Sequence, residues 1–159
     1  ELLESKEGFT LELYTKCDCM DMLLEYQKAA DKTISISGFI PHSKMKSKID
    51  DAYMLVNIGN KGMKMVPAKI FEMMSTMKPI IHFYHDEDDS CLTYLRKYPL
   101  ACMINETKSV NDNIQKYLEF EERIKQISKN DIETIQNSII NAFALNTPRY
   151  TAEVIEKNV

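Results

Sequence analysis

The sequence predicts an α/β fold in which helices flank a parallel sheet and two further helices follow at the C-terminal end. Two observations support this prediction. Short apolar and β-branched runs recur roughly every 20 to 26 residues, and a helical pattern separates each pair. From about residue 110 onward, apolar residues recur only at helical spacing. Such alternation is typical of βαβ units, whose crossover helices cover the faces of a parallel sheet.

Five segments are predicted to be strands. The first alternates apolar and polar residues, as a half-buried strand does. The third is a near-continuous apolar run, which predicts a parallel strand buried on both faces. In chain order the five segments are Phe9–Tyr14, Thr33–Ser37, Ala52–Ile58, Pro79–Tyr84 and Ala101–Ile104.

Helices are predicted between these strands from apolar spacing and from residues that mark helix ends. The first covers Cys19–Ala30, and Ser43 is expected to cap a short lysine-rich helix that runs through Ile49. Pro67 is expected to open the third helix, because a first helical turn does not need the N–H group that proline lacks. The apolar positions of this third helix that are expected to face the core are Ile70, Phe71 and Met74.

The remaining helices are predicted in the second half of the chain. Asp88 or Asp89 is expected to cap a helix that buries Leu92 and Leu95. Two amphipathic helices then follow. Their apolar stripes are Val110, Ile114, Tyr117, Leu118, Ile124 and Ile127 for one, and Ile132, Ile135, Ile139 and Phe143 for the other. Asn130 with Glu133 resembles a capping box at the start of the last helix, and Pro148 is expected to end it.

Length and composition restrict the class of protein. The 159 residues fit one domain, and the net charge of −4 argues against a protein that binds duplex nucleic acid. No apolar run approaches the roughly 20 residues of a membrane span, and no signal peptide is visible, which predicts a cytoplasmic protein. The four cysteines are expected to be reduced thiols. Cys17 and Cys19 have no second close pair with which to complete a zinc site.

The loop after the third predicted strand carries the strongest signal for a binding site. Ligands of open parallel sheets bind beyond the carboxyl ends of the strands. Here Gly59 begins a loop that contains lysines and a second glycine and leads into the helix after Pro67. Val66 occupies the expected cap position and cannot accept a hydrogen bond through its side chain. The unsatisfied N–H groups of the first turn therefore predict an anion, such as a diphosphate, as the ligand.

Glu72 lies one to two turns into this helix, and two interpretations of it are open. Its carboxylate could accept hydrogen bonds from two adjacent hydroxyl groups, as an acidic residue does with a ribose. Alternatively, Glu72 is a solvated surface residue that pairs with Lys69, three positions away on the same side of the helix. The pattern by itself favours the surface pair, because exposed pairs of this kind are common.

The segment Val66–Ile81 resembles the donor-site helix and following strand of GT-B glycosyltransferases. It is most similar to the bacterial retaining group that builds capsule and other surface polysaccharides. The shared pattern is a lysine, an aliphatic pair, Glu72, an apolar run, and then Lys78 and Pro79 before a hydrophobic strand. The resemblance extends back through Asp51–Tyr53 and Ile36–Ile40, and covers roughly residues 9 to 104.

This resemblance implies one Rossmann-like domain over residues 1–159, half of a GT-B fold, that binds a nucleotide-diphosphate sugar. Glu72 would bind the ribose hydroxyls, backbone at residues 38–40 would hold the base, and residues 64–69 would face the diphosphate and sugar. The residues implied in donor binding are Gly38, Phe39, Ile40, Lys64, Pro67, Lys69 and Glu72. No metal and no cofactor is implied, and no catalytic residue is assigned, because the family usually places it on the other half. One position departs from the pattern: many members carry an acidic residue where this chain has Lys64.

The resemblance also implies a longer protein. Residues 1–8 are too short and polar to supply the family's first strand, and no acceptor-binding N-terminal domain is present in the sequence. The expectation is therefore a fragment of a two-domain enzyme that transfers a sugar to a glycan or lipid-linked acceptor held by the missing domain. The alternative function is a non-catalytic α/β module for nucleotide binding or oligomerisation.

The remaining polar candidates are expected to be structural. His42 is predicted to lie on a loop surface, and His82, inside PIIHFY, to be a hydrogen-bonded core residue. His85 heads the acidic run Asp86–Asp89, which lacks the regular spacing of a metal loop and is expected to form a solvated, helix-capping turn. A small basic face would allow peripheral contact with the inner face of the membrane but not stable anchoring; it consists of Lys44, Lys46 and Lys48.

Overall fold

The computed structural model describes residues 9–30, 33–60, 62, 65–143 and 156. The chain divides into two compact units, residues 1–51 and residues 52–159. In the described part of each unit, all strands run parallel and the connections between them contain helices. The predicted α/β class is therefore confirmed, with a two-stranded sheet in the first unit and a three-stranded sheet in the second.

The first unit contains two strands and two helices. Its elements are β1 (Leu11–Tyr14), α1 (Met20–Ala29), β2 (Ile34–Ser37) and α2 (His42–Asp51). Strands β1 and β2 pair in parallel, and the ladder continues one residue further, where the Thr15 N–H group donates to the Ser37 carbonyl over 3.1 Å. The loops that follow β1 and β2 therefore leave the sheet at the same edge.

The start of α2 differs from the prediction. Ser43 is not the cap, because the helix begins one residue earlier, at His42. The carbonyl of Pro41 accepts hydrogen bonds from the N–H groups of Lys44 and Met45, at 2.9 and 3.3 Å. Pro41 thus takes the position before the first turn, where the N–H group that it lacks is not needed.

The second unit contains three strands and four helices within its described residues. Its elements are β3 (Leu55–Ile58), α3 (Lys69–Ser75), β4 (Ile80–Tyr84), α4 (Leu92–Leu95), β5 (Ala101–Asn105), α5 (Val110–Lys125) and α6 (Lys129–Ala142). The strand order is β3-β4-β5, and both pairings are parallel.

The core of the second unit lies against one face of this sheet. Side chains from α3, α4 and the segment before β5 pack around Ile80, which has no exposed surface. Tyr98 is nearly as buried, and its hydroxyl group donates to the Lys78 carbonyl over 2.8 Å. Helix α6 adds partly buried residues to this cluster, whereas α5 packs against β5 and buries Tyr117 and Phe120.

Two predictions about burial are wrong. Strand β3 is not buried on both faces, because Val56 is 39% exposed and Ile58 is 66% exposed. Within the described sheet, β3 is an edge strand that pairs only with β4. In α3, Met73 rather than Phe71 joins Ile70 and Met74 in the core. Those three residues have the i, i+3, i+4 spacing of one helical face. Phe71 instead lies at the boundary of the core, where its ring meets Tyr94 edge-on at 5.0 Å.

The capping box of α6 also lies elsewhere than predicted. Ser128, not Asn130, is the N-cap, and Asp131 supplies the reciprocal carboxylate. The Asp131 N–H group donates to Ser128 Oγ over 3.3 Å, and the Ser128 N–H group donates to Asp131 Oδ2 over 2.8 Å. The hydrogen bonds from Ser128 lower the pKa of Asp131, because they stabilise its ionised form. Asn130 lies inside the first turn, so its side chain has no capping role.

Ser128→Ala is expected to lower the free energy of unfolding by about 1 kcal/mol, because the substitution removes the acceptor for the Asp131 N–H group and the hydroxyl donor to the Asp131 carboxylate, while the backbone donor at residue 128 remains. Asn130→Ala is the matched control and should change stability by less than about 0.5 kcal/mol, since alanine suits a helix interior. Urea denaturation followed by circular dichroism measures both values. Equal losses for the two variants would show that Ser128 does not cap α6 in solution.

Candidate functional site

The carboxyl edge of the first unit's sheet carries the segment predicted to hold a nucleotide base. Gly38, Phe39 and Ile40 directly follow β2. Phe39 is 78% exposed, and a Cβ atom added to Gly38 would have no heavy atom within 4 Å. The backbone at this edge is therefore open to a ligand, and an exposed aromatic ring lies beside it. Strand ends of this kind are where parallel sheets bind ligands.

The start of α3 is the second predicted part of the site. Ala68, not Val66, is the N-cap, and no side chain caps the helix. The N–H groups of Ile70 and Phe71 donate to the carbonyls of Pro67 and Ala68, each over 3.1 Å. These two donors are consequently satisfied within the chain. The N–H groups of Ala68 and Lys69 donate to no acceptor in the described part of the protein, so two donors, fewer than predicted, are left for an anion.

Glu72 is an exposed residue on the face of α3 opposite the core. Ile70, Met73 and Met74 are buried, whereas Lys69 and Glu72 both lie in solvent. No salt bridge joins the Glu72 carboxylate to Lys69 or to any other described residue. The predicted surface pair is therefore not formed. The carboxylate keeps its full capacity to accept hydrogen bonds from a ligand.

The predicted donor-binding residues are divided between the two units. Gly38, Phe39 and Ile40 belong to the first unit, and Pro67, Lys69 and Glu72 belong to the second. The structure brings the last three together at the start of α3. Lys64 lies outside the described residues.

A buried polar network, which the sequence patterns do not predict as a unit, lies beneath the carboxyl edge of the second sheet. His82 on β4 is the register partner of Asn57 on β3, so both side chains lie on the same face. The Asn57 amide lies 2.8 Å from His82 Nδ1, and the His82 side chain has no exposed surface. This confirms His82 as a hydrogen-bonded core residue. The only sequence signal for its partner is a single amide within an apolar run.

Asp89 completes this network from the loop before α4. Its Oδ2 atom lies 3.4 Å from His82 Nε2, and its Oδ1 atom accepts a hydrogen bond from the Cys91 N–H group over 2.8 Å. The second contact holds the N–H group of the residue before α4. Cys91 is the N-cap of α4 and no side chain caps this helix, so the prediction that Asp88 or Asp89 caps it is wrong. His82 Nε2 forms no hydrogen bond with the described residues despite its burial. Neutral His82 with Nδ1 as acceptor would carry its proton on Nε2, facing the carboxylate.

Burial controls the ionisation of the groups in this network. It lowers the pKa of His82, and the opposing effect of the Asp89 charge is smaller. Burial likewise raises the pKa of the Cys91 thiol to about 11. At neutral pH the imidazole is thus uncharged and the sulfur is protonated, a state unsuited to nucleophilic attack. The network ties strands and loops together rather than supplying a reactive group.

Gly59 lies against this network at the end of β3. A Cβ atom placed on Gly59 would lie 2.1 Å from Asp89 Oδ2 and 3.0 Å from the Phe83 carbonyl oxygen. The Gly59 N–H group donates to that same carbonyl over 2.7 Å. Glycine is therefore required here by the close approach of Asp89, and the predicted binding loop begins from a tightly held position.

The acidic run after β4 is a hydrogen-bonded turn. Glu87 accepts hydrogen bonds from the hydroxyl group of Tyr84 and from Arg96, at 3.1 and 2.7 Å. The Tyr84 hydrogen bond is the main cause that lowers the pKa of Glu87, and Arg96 adds to it. Among the residues that the structure describes, no cluster of three or more His, Cys, Asp or Glu side chains has the arrangement of a metal site.

The other predicted surface groups lie on α2 and the loop after β4. His42 is the first residue of α2 and is exposed, and His85 lies 3.8 Å from Glu106. Two of the three lysines on α2 have partners. Lys46 pairs with Asp50 at 2.8 Å, and Lys48 lies 3.6 Å from Glu12 and above the ring of Tyr14. The basic face is therefore partly neutralised.

Over the described ranges, no helix has both the length and the apolar character that a membrane span requires. Comparison of the chain with protein-family models, with curated proteins and with solved structures found no significant match.

Proposed function

We propose that this chain is the donor-binding half of a glycosyltransferase, which moves a sugar from a nucleotide-diphosphate donor to a glycan or lipid-linked acceptor. The observation that carries this proposal is the exposed Glu72 carboxylate, one turn into a helix that no side chain caps. We propose a Rossmann-like half of a GT-B fold as the architecture, with the acceptor on the other half. The motif of Val66–Ile81 supports the same function.

Each proposed contact follows from the chemistry of the group concerned. The Glu72 carboxylate accepts hydrogen bonds from the two ribose hydroxyl groups. The Lys69 ammonium group and the N–H groups of Ala68 and Lys69 face the diphosphate. Because α3 has only seven residues, its dipole adds less than these direct contacts do.

The domain's contribution to catalysis would be electrostatic. Negative charge increases on the diphosphate as its bond to the sugar breaks. The N–H groups at the start of α3 are held by the helix backbone before this happens, so they stabilise that charge without rearrangement, and the Lys69 ammonium group adds positive charge. No catalytic base is assigned to this half.

Glu72→Ala is expected to weaken the binding of one nucleotide among UDP, GDP and ADP by about 10- to 100-fold, because a charged acceptor of two hydrogen bonds is lost. Isothermal titration of the full chain with each nucleotide measures the effect. Glu72→Gln should fall between wild type and alanine, since the amide keeps one acceptor oxygen.

Glu133→Ala is the matched control, because Glu133 is also an exposed helical glutamate, in α6. It should bind the nucleotide as wild type does. Binding that Glu72→Ala leaves unchanged would contradict the proposed ribose contact. Absence of binding to all three nucleotides would favour the alternative of an α/β oligomerisation module, which sedimentation of the same sample would detect.

A further inference from the structure

Two thiols lie in contact in the loop between β1 and α1. The Sγ atoms of Cys17 and Cys19 are 3.2 Å apart. Cys19 is exposed and Cys17 is partly exposed, so small molecules in solution can reach the pair. One residue, Asp18, separates them, and Cys19 is also the N-cap of α1. The loop geometry thus holds two accessible sulfur atoms together before any bond joins them.

The other two cysteines of the chain have a different environment. Cys91 and Cys102 are buried in the second unit. Burial raises the pKa of each of these thiols to about 11. They are therefore protonated and shielded at neutral pH, and they serve as internal controls for the accessible pair.

We propose that Cys17 and Cys19 form a reversible dithiol–disulfide site that exchanges with low-molecular-weight disulfides. Neither cysteine is among the residues proposed to bind the nucleotide. The proximity of the two sulfur atoms supports this inference. A mixed disulfide on one cysteine becomes an intramolecular disulfide only if a second thiol lies next to it.

The exchange proceeds in two steps, for which oxidised glutathione is the oxidant. The Cys17 thiolate attacks one sulfur of glutathione disulfide, a mixed disulfide forms, and one glutathione leaves as thiolate. Cys19 then loses its proton and attacks the Cys17 sulfur, which releases the second glutathione. In sum, two protein thiols are oxidised by two electrons, one glutathione disulfide is reduced to two thiols, and these take up the two protons.

Either thiol of the pair can begin the exchange, because either can be the donor in the contact between them. The contact with Cys17 is the largest cause that raises the pKa of Cys19. Formation of the mixed disulfide at Cys17 removes the partner proton and any negative charge there, so this cause of the raised pKa is weakened. The Asp18 charge also raises the pKa of Cys19, by a smaller effect.

The test is oxidation of the folded, full chain with excess glutathione disulfide, followed by acid quenching, alkylation in denaturant and peptide mass mapping. We expect one intramolecular disulfide between Cys17 and Cys19 and alkyl groups on Cys91 and Cys102. Reduced glutathione should restore all four free thiols. Cys19→Ser and Cys17→Ser should each stop at a mixed disulfide with one glutathione on the remaining cysteine of the pair.

Comparison with the urea-unfolded chain isolates the contribution of the fold. If the loop holds the two sulfur atoms together, closure from the mixed disulfide should be about tenfold faster in the folded chain than in urea. Glutathione retained on both Cys17 and Cys19 of the folded protein would overturn the proposal. Equal or slower closure in the folded chain would do the same, as would oxidation of Cys91 or Cys102 at the same rate as the pair.

Discussion

Gly59→Ala is expected to lower the free energy of unfolding by about 3 kcal/mol, because the added methyl group must displace a buried carboxylate. The Cβ position lies 2.1 Å from Asp89 Oδ2, far closer than two non-bonded heavy atoms can approach. Asp89 cannot move without loss of its hydrogen bond from the Cys91 N–H group and its contact with His82. Urea denaturation of the full chain, monitored by circular dichroism, measures the loss.

Gly38→Ala is the control for this substitution. It lies after β2 just as Gly59 lies after β3, but an added Cβ there meets no atom within 4 Å. We expect its effect on stability to be below about 1 kcal/mol. A double-mutant cycle with Asp89→Ala identifies the contact responsible. In the Asp89→Ala background, Gly59→Ala should lower the free energy of unfolding by less than it does in the wild type, because the atom that it clashes with most closely is absent. Additive effects would contradict the close approach.

Acidification from pH 7 to pH 5 is expected to destabilise the protein through His82. The side chain is uncharged in the folded state, because burial lowers its pKa below the ordinary value of 6.5. The unfolded chain takes up a proton below about pH 6.5, whereas the folded chain does so only at lower pH. The His82 contribution to the free energy of unfolding is therefore complete above pH 6.5, and it decreases as the pH falls towards the folded-state pKa of His82. Its steepest slope is about 1.4 kcal/mol per pH unit.

The stability that depends on His82 is lost at higher pH than the stability that depends on the carboxylates. Glu12, Glu87 and Asp131 have pKa values below their ordinary values, so their contributions are lost only at more acidic pH. Asn57, Asp89 and Tyr84 face His82, and Cys91 in turn interacts with Asp89 and Asn57. The Asp89 charge opposes the lowering of the His82 pKa, and its effect is smaller than that of burial.

Urea denaturation at several pH values, with His82→Gln and with the exposed His85→Gln as matched control, tests this assignment. His85→Gln should keep the wild-type decrease between pH 6.5 and 5.5, and His82→Gln should lose it. If His82→Gln does not fold, NMR titration of the wild-type imidazole resonances decides the question. A His82 pKa at or above 6.5 in the folded protein would contradict the expected direction.

Local features could be predicted because they depend on neighbouring residues. The five strand positions and the burial of Leu92 and Leu95 follow from apolar runs and end signals. The errors occur where several local choices have similar energy. Ser128 and Asn130 both suit a helix N-cap, and Met73 and Phe71 both suit the buried face of α3. Packing of the complete helix decides between such choices.

The sequence by itself determined that strands and helices alternate, that His82 is a core residue, and that Gly59 ends a strand before a loop with basic residues. Only the tertiary structure decided that Asn57 and His82 are register partners, that Asp89 approaches Gly59, and that Glu72 stands in solvent without Lys69 as a partner. The physical reason is the separation along the chain of the residues in contact. Periodicity reports which face of an element is apolar, whereas contacts between residues 25 or 30 positions apart depend on how parallel strands align and how the loops between them close.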